Sequence, residues 1–143
     1  MAARTSIHAV PCVTALILAA ATFPLAVSAQ DCSPSDITLG SQAEVDAFQS
    51  DHGPCDRVTG NLTIEGADVT SLAGLSALVE VHGLRIRNNP ALPGLAGLGA
   101  LTEAGDLRIA RNPGLTHLHG LEALERVGYL IITDNEALLS LAG

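Results

Sequence analysis

Four arginines, Arg85, Arg87, Arg108 and Arg111, fall close together in a chain whose formal net charge is −8. A guanidinium group pairs carboxylate or phosphate oxygens two at a time, so the cluster predicts a patch for an acidic partner. The competing reading is a solvated ladder, because Glu65 and Asp134 fall beside Arg87 and Arg111 and exposed pairs of this kind are worth little. Other reactive side chains promise less. His117 and His119 are half of a metal site, yet no Cys or acidic partner stands at ligand spacing, so no metal is expected. Asn61-Leu62-Thr63 is a glycosylation sequon, to be used only if the protein is made by a eukaryotic cell. Carboxylates are scattered, with Glu103 and Asp106 the closest pair, and no G-x-S-x-G, H-E-x-x-H or phosphate-cradling loop occurs. The chain is therefore expected to be neither an enzyme nor a cofactor protein.

What must position the arginines is a 23-residue period. Leu84, Leu107 and Leu130 keep that step, as do Ile86, Ile109 and Ile132, and likewise Asn89, Asn112 and Asn135. Leu92, Leu115 and Leu138 follow it too, and so do Gly97, Gly120 and Gly143. A unit of this size cannot bury its apolar face alone and must stack on the next, which predicts a parallel β-solenoid of about four repeats, the last incomplete. The string Val81-x-x-Leu84-x-Ile86-x-x-Asn89 is close to the leucine-rich-repeat strand pattern, in which Asn turns the chain out of the strand. Asn89, Asn112 and Asn135 are accordingly read as structural turn residues. A first, irregular copy runs through Val58, Leu62 and Ile64, with one extra residue before Leu62.

In this register the outward strand positions form columns. One is Thr63, Arg85, Arg108 and Ile131, the next is Glu65, Arg87, Ala110 and Thr133, and beyond it lie Asn88, Arg111 and Asp134. Leu72, Leu75 and Leu78, with their counterparts 23 and 46 residues on, predict tight turns or 3₁₀ segments in the second half of each repeat.

Ahead of the repeats, residues 1–29 have the weakly basic start, short apolar run and small residues of a cleaved secretory signal peptide. The apolar run, bracketed by Pro11 and Pro24, is shorter than the roughly 18 residues a membrane span needs. Cleavage would leave Cys32 and Cys55, an even pair that predicts a disulfide in an exported protein. Residues 30–57 then read as a capping module: a strand near Asp36 to Leu39, and a helix opened by Ser41-x-x-Glu44 and carrying Val45, Ala47 and Phe48. Residues 58–143 hold the repeats. With six Arg, no Lys and fifteen acidic residues after the leader, nucleic acid and anionic membranes are not expected partners.

The string Val58-Thr59-Gly60-Asn61-Leu62-Thr63-Ile64, the later Leu-x-Ile-x-x-Asn-Pro-x-Leu units and the preceding strand, helix and Cys pair resemble the receptor L domain. This is the leucine-rich-repeat-like ligand-binding module of insulin-receptor and epidermal-growth-factor-receptor ectodomains, also found in secreted microbial proteins. The resemblance covers nearly all of Cys32 to Gly143 and implies a right-handed solenoid, mainly β with one N-terminal capping helix, that contacts a protein or glycan partner on its broad sheet face. Secretion or display in the cell envelope follows as an expectation. The alternative is a structural envelope component, or a fragment of a longer protein, that self-associates through its C-terminal end.

Overall fold

Alternation of apolar and polar side chains sets six parallel strands in the computed structural model, which describes residues 31–32, 35–139 and 141. The expected leader at 1–29 and the Gly143 position lie outside the described residues. Two short strands come first, β1 (Asp31–Cys32) and β2 (Ile37–Leu39), followed by helix α1 (Gln42–Asp51). Four strands of eight residues follow: β3 (Arg57–Ile64), β4 (Glu80–Arg87), β5 (Glu103–Ala110) and β6 (Arg126–Thr133). They pair in the order β3-β4-β5-β6, all parallel, with β1 and β2 both pairing β3. The capping segment thus contributes two strands where the sequence pattern indicated one, β1 being too short for alternation to register.

The strands pair at the 23-residue offset. Leu84 faces Leu107 and Leu107 faces Leu130, while Ile86, Ile109 and Ile132 align likewise. Between β3 and β4 the register shifts from Val58↔Val81 to Asn61↔Gly83, so the extra residue before Leu62 is absorbed as a bulge. The inward side chains form one continuous core with Val69, Leu72, Leu75, Leu78, Leu95, Leu98 and Leu101, all essentially inaccessible. Two of the return segments contain short 3₁₀ turns, Ala73–Leu75 and Ala96–Leu98, as the spacing of three suggested. Gly97 permits their close approach, since a Cβ there would collide with the backbone carbonyl of Leu72.

Helix α1 covers one end of this core with Val45 and Phe48. Ser41 caps it, accepting from the Glu44 backbone N–H at 3.3 Å, while the Glu44 carboxylate takes the N–H of Gly40. The reciprocal capping bond therefore reaches one residue further back than the usual box. The Cys32–Cys55 disulfide, with Cα atoms 5.7 Å apart, ties β1 to the segment just before β3.

Buried asparagines finish the strands. Asn89 and Asn112 have no exposed surface, and their amides form a ladder running across the sheet. Asn89 Nδ2 donates to the carbonyl of Ile64 (3.0 Å) and to Asn112 Oδ1 (3.1 Å). Asn112 Nδ2 repeats this toward Ile86 (3.0 Å) and Asn135 Oδ1 (3.1 Å), and Asn135 Nδ2 toward Ile109 (3.0 Å). Each Oδ1 also accepts a backbone N–H from the preceding rung, beginning with Gly66 to Asn89 at 2.8 Å. Backbone groups that leave the sheet at this corner would otherwise be buried without partners, and only a side chain with both donor and acceptor satisfies them in series.

Candidate functional site

The outward face of β3 to β6 positions the arginines. Thr63, Arg85, Arg108 and Ile131 pair in register across four strands, and Arg87, Ala110 and Thr133 do so one step along. Adjacent members of a column sit one inter-strand spacing apart, about 4.8 Å. The result is an open hollow of about 560 Å³ whose lining includes Arg85, Arg87, Arg108 and Arg111. All four arginines selected from the sequence therefore meet in one place. Thr63, almost fully covered, and the Thr133 hydroxyl add polar groups, while Ile131 and Ala110 keep part of the lining apolar.

The charges in this hollow are unevenly matched. Arg87 Nε lies 2.6 Å from Glu65 Oε2, close enough to pair the charges though not aligned as a hydrogen bond. Among the described residues, no carboxylate oxygen comes within 4.0 Å of a guanidinium nitrogen of Arg85, Arg108 or Arg111. The Arg111–Asp134 pair anticipated from the columns is thus not formed. Both residues sit at the left-handed corner, with φ of 57° and 55°, which takes their side chains out of the regular alternation of the strand. Asp134 still lines the hollow.

That corner distinguishes Arg111 from its counterparts. Asn88, Arg111 and Asp134 occupy equivalent places with φ between 55° and 57°. Asn and Asp tolerate this region because their short polar groups bond locally, whereas a long side chain there carries a steric cost. The two tolerant residues flanking Arg111 at 23-residue steps were the only signal of this in the sequence.

At the opposite end of the strands lies a second charged row, missed in the sequence although its members keep the 23-residue step. Arg57, Glu80, Glu103 and Arg126 pair in register, so two carboxylates stand on neighbouring strands. Each is matched by the arginine on its outer side: Arg57 Nη2 is 2.9 Å from Glu80 Oε2, and Arg126 Nη1 is 2.8 Å from Glu103 Oε2. The Glu103–Asp106 pair noted in the sequence is correspondingly split, with Asp106 placed between Gly83 and Tyr129. The His117 and His119 rings meet at a tilt of 43° with centroids 4.7 Å apart, and His119 Nδ1 lies 3.4 Å from Glu122. Glu122 titrates below the usual glutamate range, chiefly because its own backbone N–H and that of Gly120 stabilise the carboxylate, with His119 adding to this. Among the described residues no three potential metal ligands cluster. Asn61 points its amide at Asp36 Oδ1 (2.9 Å), to which its backbone N–H also donates (3.0 Å), so the sequon residue is engaged within the fold.

Among the described residues, no helix is long and apolar enough to cross a membrane. No family model, curated protein or solved structure matches the chain.

Proposed function

We propose that the chain is a non-enzymatic binding module of the receptor L-domain type, a right-handed, leucine-rich-repeat-like β-solenoid that recognises a protein or glycan partner through its arginine-lined sheet face. The observation that carries this reading is the hollow on β3 to β6, where, among the described residues, three of four arginines have no carboxylate oxygen within 4.0 Å. A solvated ladder would be expected to neutralise its charges along the sheet, as the row Arg57-Glu80-Glu103-Arg126 does. The disulfide is compatible with an oxidising, extracellular or envelope setting, to which a cleaved signal peptide would deliver the chain.

A second reading draws on one observation. Leu130 is 54% exposed although its register partners Leu84 and Leu107 are buried, and Leu141, which lines a shallow hollow with Ile132 and Leu138, is exposed too. This apolar edge suits packing against further polypeptide, as in self-association through the C-terminal end.

The two readings separate on Arg85→Glu/Arg108→Glu. Capture of extracellular proteins and binding to a glycan array are to be compared between wild type and the double variant, with circular dichroism as the folding control. The binding-face reading expects a partner held by wild type and lost from a folded variant. An unchanged set of partners would refute it.

A further inference from the structure

The site just described has a charge and size that specify its ligand more narrowly than a protein or glycan partner. Once Glu65 is set against Arg87, the lining of the hollow keeps three guanidinium groups against one carboxylate, Asp134, while Asp36 and Asp106 lie outside it beside Arg85 and Arg108. Arg85 and Arg108 stand opposite each other on adjacent strands, and Arg111 follows Arg108 at the corner. Groups one strand apart can share the oxygens of a single ligand, because their spacing is comparable to the width of one tetrahedral oxyanion and its contact shell.

The surroundings oppose a long polyanion. The whole chain carries −8, and Asp36, Glu65, Asp106 and Asp134 lie around these columns, so charge beyond the hollow would meet repulsion. The lining also contains no aromatic ring on which a neutral sugar could stack. A volume of about 560 Å³ falls within the range of small-ligand sites.

Arg111 provides an independent argument. Its corner conformation is one that Asn88 and Asp134 adopt at little cost and an arginine does not, so the position spends stability on a guanidinium group. A solvated ladder gives no reason for this, because an asparagine in its place would turn the same corner more easily.

From these observations, and resting on the sheet face being the binding surface, we propose that the hollow binds a compact oxyanion bearing two or more negative charges, held by Arg85, Arg108 and Arg111. Phosphate, sulfate and clustered carboxylates share this chemistry, whether free or carried on a partner.

The test is isothermal titration of the whole chain with sodium sulfate, sodium phosphate and citrate, against sodium acetate and sodium chloride at matched ionic strength. Saturable binding of at least one multivalent anion, at one site and without comparable binding of acetate or chloride, is expected. Arg85→Gln and Arg108→Gln should each weaken it roughly tenfold or more, as expected for a lost charged hydrogen bond. Sulfate or phosphate ahead of citrate would identify an esterified or inorganic source, and citrate ahead would identify clustered carboxylates; both support the site. Arg111→Asn separates binding from folding: it should raise the melting temperature while weakening the anion, whereas an arginine kept for structure would lower the melting temperature when replaced.

Absence of saturable binding, equal binding of monovalent anions, or unchanged affinity in the arginine variants would overturn the proposal. If the anions fail while Arg85→Glu/Arg108→Glu still abolishes partner capture, only the oxyanion assignment falls and the binding face stands. Anion binding by wild type together with partner capture unaffected by that double variant would leave the anion site in place and remove the binding-face reading.

Discussion

Asn112→Ala should be among the most damaging single polar substitutions in the sheet, and the size of the loss follows from the ladder. The side chain has no exposed surface and makes four contacts: Oδ1 accepts from the backbone N–H and the Nδ2 of Asn89, each at 3.1 Å, and Nδ2 donates to Ile86 O at 3.0 Å and Asn135 Oδ1 at 3.1 Å. After truncation Asn89 Nδ2 still has Ile64 and Asn135 Oδ1 still has the Asn112 N–H, but the Asn89 N–H and the Ile86 carbonyl lose the side chain that served them. A buried backbone group left without its partner costs about 1–3 kcal/mol, so the two together should cost roughly 3–5 kcal/mol. Against a total stability of roughly 5–15 kcal/mol for a domain, the variant would sit near the edge of folding. Urea unfolding followed by far-ultraviolet circular dichroism gives the number. With a slope of about 1–3 kcal/mol per molar, the midpoint should fall by at least ~1 M without a change in slope. Asn135→Ala is the internal comparison. It removes the same types of bond, to Asn112 and Ile109, at a partly exposed rung where water can replace them, so a loss of about 1 kcal/mol is expected. If Asn112→Ala cost no more than Asn135→Ala, the corner amides would not be satisfying buried backbone groups and the reasoning would fail.

Two further predictions concern the core and the pH response. Leu84→Ala should cost about 2–5 kcal/mol, whereas Leu130→Ala, at the same register position but 54% exposed, should cost less than about 1 kcal/mol; equal losses in urea midpoint would mean that the edge is covered in solution. Asp36 titrates below 3.8 because the Asn61 backbone N–H, then its side-chain amide, stabilise the carboxylate, with weaker help from Arg85 and His82. Its folded pKa is depressed, so its contribution is present above the unfolded value and is lost as the pH falls through the folded one. The midpoint gap between wild type and Asp36→Ala should therefore stay constant from neutral pH to about pH 5 and close on further acidification. A gap that widens in acid would contradict the assignment.

Local rules carried the reading of this chain a long way. An apolar side chain that must be buried recurs wherever the chain returns to the same place, so the 23-residue step of Leu84, Leu107 and Leu130 equals the offset at which their strands pair. Ser41 and Glu44 marked the start of α1, the spacing of Leu72, Leu75 and Leu78 marked a tight turn, and the surplus residue before Leu62 became the bulge in β3. These are consequences of backbone geometry and burial, which act over a few residues and leave a periodic trace. The columns of outward side chains follow from the same register, and so the arginines could be gathered on one face from the sequence pattern.

How the charges on that face combine was decided by the tertiary structure. The order of residues hints that Arg111 sits at a corner, through Asn88 and Asp134 at 23-residue steps, but not that Arg87 reaches Glu65 while Arg111 does not reach Asp134. Choice of partner depends on side-chain direction and on the corner at φ near 57°, and both are set by packing between strands 23 residues apart. The adjacency of Arg57, Glu80, Glu103 and Arg126 follows from the 23-residue period, whereas the contact of each glutamate with the arginine on its outer side is set by side-chain direction. The inward columns are legible from the 23-residue period alone, but that Leu130 stays half exposed while Leu84 and Leu107 are buried depends on what packs against each strand. Which surface charges cancel and which remain is settled in three dimensions, because an ion pair depends on distances between residues far apart in the chain.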